Sequence, residues 1–266
     1  MSTLTCIENY IDKDKNFYGC FLIEPLETGQ GITLGNALRR TLLSDLTSFS
    51  VTGARINNLK HEFDAIDGLR EDPLEILLNL KEIIFKSSFS PKEKNLPETK
   101  MKGFLHVKGP IIVTAGMFKL PKGLLKIIHL THYICTIVDE SELYLEIDIE
   151  KGKGYLLIDD SRTKTLDQRL EQGKGSTLLV DALFMPIKRV NYKIKLIHDT
   201  QGNIKESLNL EIVTDGSITP KRSLYEAVKI LMNLFYPLLI NSNFLKLSSY
   251  LNKKKTIQNE VTKKEN

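Results

Sequence analysis

Gly29, Gly31 and Gly35 follow an extended, aromatic-rich run and stand where a phosphate-cradling turn would stand, since backbone N–H groups at a helix start can hold an anion. Their spacing is GxGxxxG, and no acidic residue follows within a clear parallel unit as a dinucleotide fingerprint requires. A tight turn with close helix packing explains the same glycines without a ligand. His129, His132 and Cys135 have a spacing that could ligate zinc, yet they lie in a strand-like run without a fourth ligand nearby. His61-Glu62 starts like a zinc-protease helix, but Ala65 stands where the second histidine should be. Asp139-Glu140 and Asp159-Asp160 could attract magnesium and read better as turn residues. Arg39 and Arg40 remain, two planar forks able to hold a carboxylate or carbonyl in two directions, on what could equally be a solvated helix face.

The elements that carry these residues are legible from spacing. Phe17 to Glu27 reads as a strand ending at the Gly29-Gln30-Gly31 turn, with Thr33 placed to cap a helix behind it. Leu34, Leu38, Leu42 and Leu46 recur at i+4, which predicts an amphipathic helix from Thr33 to Leu46 whose other face shows Asn36, Arg39 and Arg40. Asp72 offers an N-cap, Pro73 suits the first helical position and Glu75 completes a cap three residues on, so LEILLNLKEIIFK is read as a helix through Lys86. Val51 to Phe63 reads as strand, turn and strand, and 87–99 as a polar loop before the strand MKGFLHVKG. From Gly109 to Ile149 short β-prone runs alternate with turns, and DQRLEQGKGS looks like a domain junction. STLLVDALFMPIKRVNYKIKLI and SLNLEIVTD read as two strands around a turn at Asp199 to Gly202. The last helix starts at Thr219-Pro220, carries Leu224, Val228, Leu231 and Phe235 on a wide apolar stripe, and should kink or end at Pro237.

Composition bounds the function classes. At 266 residues the chain suggests two modest domains or one large mixed one. With 41% hydrophobic residues and no apolar run of eighteen, it reads as a soluble globular protein without a membrane span. A net charge of +4 promises no basic face for an autonomous nucleic-acid binder. Cys6, Cys20 and Cys135 form no CxxC pair and leave an odd thiol, which points to a reducing compartment. The start MSTLTCIENYIDKDKNF has neither a signal core nor transit-peptide character. Beyond Tyr250 the chain is nearly devoid of hydrophobic residues, and 251–266 is expected to be a disordered basic tail. Between Ile23 and Lys86 no catalytic acid, base, nucleophile or metal cluster stands out, yet the helices carry more apolar surface than a small free-standing module needs, the profile of an assembly surface.

Several blocks, in order, resemble the α subunit of bacterial-type, multi-subunit DNA-directed RNA polymerase. They are IEPLE at Ile23 to Glu27, GITLGNALRR at Gly31 to Arg40, HEF at His61 to Phe63 and EDPLEILLNLK at Glu71 to Lys81. KGKGY at Lys151 to Tyr155, LLVDALFMP at Leu178 to Pro186 and TDGSITP at Thr214 to Pro220 extend the resemblance over Phe17 to Leu239.

The resemblance implies an α+β protein of two domains. Residues 1–47 and 179–250 would form a discontinuous, helix-mediated dimerisation domain, and 48–178 a β-rich insert domain. It implies a homodimer held by Leu34, Leu38, Leu42, Leu46, Leu224, Val228, Leu231 and Phe235, and contacts to the β and β′ subunits through Asn36, Arg39, Arg40, His61, Glu62, Lys81 and Asp181. It places no catalytic residue and no cofactor in this chain, with catalytic magnesium held by β′, and a sigma-like factor and template DNA reached through the assembled complex. The family's second, DNA-binding helical domain is not expected in this chain, whose given sequence runs to Asn266. The Lys-rich, A/T-biased lexicon and the short C-terminus look like a plastid-encoded member acting in the stroma, with the bacterial cytoplasm as the other location. The alternative to this function is a stand-alone phosphate- or nucleotide-binding enzyme using the Gly29 to Gly35 turn.

Overall fold

A computed structural model describes residues 2–57, 59, 63–87, 100–121, 123–158, 177–198 and 202–240. The architecture is α+β and built on antiparallel sheets around two apolar cores.

The first core is made by both ends of the chain. Strands β1 (Thr3–Ile11), β2 (Phe17–Leu26), β12 (Ile187–His198) and β13 (Ile204–Thr214) form one sheet in the order β1-β2-β13-β12. Helices α1 (Gln30–Ser44) and α3 (Pro220–Ile240) pack on one face of it. Phe21 pairs with Leu210, so both point to that face and meet Leu38 and Leu42 of α1 and Leu224 and Ala227 of α3. Burying a leucine of this kind contributes about 1.5–3 kcal/mol, and α1 is fixed by two of them.

From α1 the chain enters β3 (Thr47–Ile56), which carries it into the second core. There the long strand β9 (Glu142–Leu156) pairs with β3, with β5 (Met101–Lys108) and, at its far end, with β11 (Ala182–Phe184). The short strand β10 (Leu178–Leu179) closes on β3. Helix α2 (Pro73–Lys81) buries Ile76, Leu77 and Leu80 against this body. Two ribbons complete it, β4 (Phe85–Ser87) with β7 (Leu125–Ile127) and β6 (Ile111–Thr114) with β8 (Tyr133–Ile137). The first core ends at Leu46 and resumes at Ile187, whereas the second runs from Phe49 to Val180.

Several local expectations change. Helix α1 starts three residues before Thr33, because Gly29 takes the left-handed conformation (φ 89°) that opens the helix; Thr33 instead donates its hydroxyl to the Gly29 carbonyl at 3.1 Å. Helix α2 stops at Lys81 rather than Lys86, since Ile83 and Phe85 are buried while Lys86 is exposed, an alternation that suits the strand the chain adopts there. Asp72 holds the N-cap position without a side-chain capping bond. In the run read as one strand from Ser176 to Ile197, the described residues form three strands, interrupted at Val180-Asp181 and at Pro186, which has no N–H to give a ladder. No second strand follows β3 among the described residues up to Phe63, and α3 continues past Pro237 to Ile240. The proposed domain junction, most of the 87–99 loop, the turn at 199–201 and the tail lie outside the described residues.

Candidate functional site

The glycine turn is occupied by the protein itself. The buried Glu206 carboxylate of β13 accepts the Gly29 N–H at 2.9 Å and the Gly31 N–H at 2.8 Å. A carboxylate at a helix N-terminus satisfies orphan donors and meets the positive end of the helix dipole. Gly31 is required for this approach, because a Cβ there would lie 2.7 Å from the Glu206 carboxylate. The N–H groups a phosphate would need are therefore already satisfied. Beside them Lys205 pairs with Glu27 at 2.6 Å.

Asn36, Arg39 and Arg40 all stand exposed on the outer side of α1. Asn36 accepts a hydrogen bond from the Tyr192 hydroxyl at 2.9 Å. The Tyr192 ring lies flat against Gly35, where a Cβ would come within 2.8 Å. Three points therefore hold the helix that presents the arginines: its buried leucines, its N-terminus and this tyrosine.

A second cluster forms at the far end of β9. The Lys81 ammonium sits 5.4 Å from the centre of the Tyr155 ring, a cation–π distance. The Tyr155 hydroxyl donates to Asp181 at 3.2 Å, and Asp181 also accepts the Ile158 N–H at 2.8 Å. Lys81 and Asp181, a hundred residues apart, thus meet through Tyr155, which has no marked signal in the sequence. Exposed Leu78, one turn before Lys81, and Leu183, paired with Tyr155 across β9 and β11, make the rim apolar. An apolar patch enclosing a few held polar groups has the make-up of a protein-binding surface. His61 and Glu62 lie outside the described residues.

The residues expected to join two copies divide sharply. Leu38, Leu42, Leu46 and Leu224 are no more than 3% exposed, so they are core residues of one chain and have no surface left for a second copy. The physical reason is that the sheet face beneath α1 and α3 takes up their inner stripes. Leu34 and Leu231 are half-buried at the margin of that core. Val228 and Phe235 are exposed, and with Tyr225 and Met232 they line the outward side of α3 at helical spacing.

The remaining candidates are not brought together as a site. His132 bonds the Asn79 carbonyl at 2.8 Å through Nε2. Cys135 is fully buried, and desolvation pushes its thiol up to about 12. Asp139 accepts the Ser141 N–H and hydroxyl as a turn residue, which lowers its carboxyl below the usual range, while Asp159 and Asp160 lie outside the described residues. Among the described residues no group of three His, Cys, Asp or Glu side chains is placed to hold a metal ion, and no helix is long and apolar enough to cross a membrane.

Comparison with known proteins matches residues 54–185 to a family model described as the RNA polymerase Rpb3/RpoA insert domain. That range begins six residues inside, and ends seven residues beyond, the 48–178 that the resemblance implies. A protein of Cyanophora paradoxa named DNA-directed RNA polymerase subunit alpha is 42% identical over 234 residues, covering 88% of this chain and 69% of the relative. Proteins of the same name from Pyropia yezoensis and Trichodesmium erythraeum are 40% identical over 250 residues and 44% over 235, covering 94% and 88% of this chain and 75% and 69% of those relatives.

Proposed function

Because the chain belongs to the family of DNA-directed RNA polymerase α subunits, we propose that it serves that enzyme as a dimeric scaffold on which the two large subunits, β and β′, assemble. The observation that carries this reading is the outward stripe of α3, in which Tyr225, Val228, Met232 and Phe235 stand 41–67% exposed beside a helix face already buried by its own sheet. A soluble chain does not profit from such a stripe alone, and obligate dimers of this kind often bury more than about 2,000 Å². Leu34 and Leu231, left half-buried at the edge, would be covered by the same association.

The polar face of α1, with Asn36, Arg39 and Arg40, is the docking surface for β, Arg40 being the principal contact. The Lys81–Tyr155–Asp181 patch is the second docking surface, with His61 and Glu62 as further contacts. A dimer presents each surface twice, and asymmetric docking would give β one copy and β′ the other. The chain itself is non-catalytic: nucleotidyl transfer, with its magnesium, belongs to β′, and a sigma-like factor and template DNA are reached through the complex. Its place is the plastid stroma, or the cytoplasm if its host is a bacterium. The stand-alone phosphate-binding enzyme is disfavoured by Glu206, which fills the anion position of the glycine turn.

The test is to purify the tagged chain gently from its host, identify co-purifying proteins by mass spectrometry and assay template-dependent RNA synthesis. Recovery of β- and β′-like subunits with activity supports the scaffold. A chain recovered alone and binding nucleotide would refute it. Met232→Glu should leave the fold intact and abolish the dimer in sedimentation, whereas Arg40→Ala should keep the dimer and weaken capture of β.

A further inference from the structure

Two bodies, one around each core, are joined where α1 leads into β3 and where the chain returns to β12 at Ile187. Both crossings lie on the β12 side of the first sheet, since α1 rests over β12 and β13. A body attached along one side is free to swing about it unless a second contact holds it. Ile187, Thr214 and Phe17 stand opposite one another across β12, β13 and β2. With neighbouring strands 4.7–4.9 Å apart, Phe17 lies about 10 Å from the returning crossing, far enough for a contact there to act as a lever.

The turn between β1 and β2 occupies that position and reaches the second body. It is closed by the Asp12 N–H on the Asn16 carbonyl at 2.8 Å and the Lys15 N–H on the Asp12 carbonyl at 2.9 Å. Closure puts Lys15 at φ 58°, in the left-handed region that glycine or asparagine enters at less cost. The use of a lysine there is visible at its far end, where the ammonium donates to the Ile128 carbonyl at 3.1 Å across 113 residues of sequence. Ile128 is anchored in the second body by its own N–H, which donates to the Ile84 carbonyl at 3.1 Å. Two more contacts flank this bond. The Lys86 ammonium of β4 sits 5.8 Å from the centre of the Phe17 ring. Gly216, at φ 96°, lets the loop after β13 close in, because a Cβ there would lie 2.7 Å from the Lys15 carbonyl oxygen and 3.5 Å from the Ile128 side chain.

We propose that the β1–β2 turn is a clasp that fixes the angle between the two bodies, with Lys15 as its positioning residue. The clasp needs no partner, but its use rests on the scaffold reading above. Arg39 and Arg40 stand on the first body and the Lys81–Tyr155–Asp181 patch on the second, so a fixed angle presents both docking surfaces at one spacing. The clasp also has a proton-sensitive neighbour in His129. Burial, then Lys15, Lys188 and His132, lowers this imidazole, and Asp14 opposes them. It is therefore neutral near pH 7, and a proton taken up below the ordinary histidine value adds positive charge beside Lys15 and Lys188 and loosens the clasp.

The test measures the distance between the bodies in the full chain. Cys6→Ser removes the exposed thiol, Cys20 and Cys135 being buried. Lys195→Cys on β12 and Ile112→Cys on β6, both at exposed positions, then carry nitroxide labels read by double electron–electron resonance. Labelled chain is diluted into excess unlabelled chain, so that only distances within one chain are counted. This background should give one narrow distribution. Adding Lys15→Asn with Lys86→Gln keeps a residue suited to the left-handed turn and removes both cations; the width should at least double while the urea midpoint holds. Lys15→Arg, whose guanidinium still reaches the carbonyl, should stay narrow. Lowering the pH from 7 to 5 should widen the background distribution, and widen it less with His129→Asn. A double variant as narrow as the background at both pH values would overturn the clasp. A widened double variant that captures the large subunits like the native chain would confirm the clasp and refute its use in docking. A native chain that captures neither subunit would remove the scaffold reading and leave the distance result as it is.

Discussion

Replacing Glu206 by alanine removes the one group that terminates α1. The carboxylate is buried and receives two backbone N–H groups, at 2.9 and 2.8 Å. A hydrogen bond to a charged group contributes about 1.5–3 kcal/mol, and losing an N-cap costs about 0.5–2 kcal/mol. Gly29 is exposed, so water can replace part of its bond, whereas the Gly31 N–H lies at a buried residue and goes unpaired. The loss should therefore fall near about 3 kcal/mol, with Glu206→Gln keeping roughly half through its remaining carbonyl acceptor. Urea unfolding followed by circular dichroism, at one fixed protein concentration, measures it. A second readout comes from phosphate. In Glu206→Ala the vacated helix start becomes an anion site, so millimolar phosphate should stabilise this variant and leave the native chain unmoved. A loss below about 0.5 kcal/mol, or a native chain stabilised equally by phosphate, would refute the assignment of Glu206 as the internal anion.

Gly35→Ala gains helix propensity of about 1 kcal/mol but drives a methyl group against the Tyr192 ring, and overpacking of about 1–3 kcal/mol should leave the variant less stable by urea unfolding. In the native chain an excess of iodoacetamide at pH 8 should modify one thiol, Cys6, because burial raises the thiols of Cys20 and Cys135; mass spectrometry of the intact chain reads the count. Desolvation, then Lys15 and Lys188, lowers the His129 imidazole. Its contribution is thus present above the ordinary histidine value and is lost as pH falls below it, so the urea midpoint should drop from pH 7 to 5 and drop less in His129→Asn.

Much of this was legible because helix periodicity survives in the sequence. The i+4 leucines of α1, the proline-led start of α2 and the wide stripe of α3 all correspond to helices. Periodicity does not say what covers a stripe. Leu38 and Leu224 satisfy the same spacing rule as Val228 and Phe235, and only the sheet beneath decides that the first pair is core and the second is surface. The α2 boundary was missed because LKEIIFK suits a helix or a strand equally, and the pairing of Phe85 with Ile127 settles it. Glu206 and Tyr155 were invisible for another reason. Each acts across a long separation, 175 residues between Glu206 and Gly31, and no local spacing rule records a contact made by the fold.

Glu206 and Tyr192 show how a surface can be positioned by residues far from it in the sequence. The arginines of α1 have long, free side chains, so the specificity of any docking there depends on where the helix stands. Glu206 fixes its start, Leu38 and Leu42 fix its height above the sheet, and Tyr192 fixes its rotation through Gly35 and Asn36. All three supports come from, or rest on, the β12–β13 pair at the opposite end of the chain. A surface held in this way loses little freedom when a partner binds, which is where pre-organisation gains affinity. Removing the hydroxyl in Tyr192→Phe should therefore weaken capture of β while the dimer persists, even though Tyr192 itself need touch no partner. A dimer of Tyr192→Phe that captured β like the native chain would show that α1 is oriented by its leucines alone.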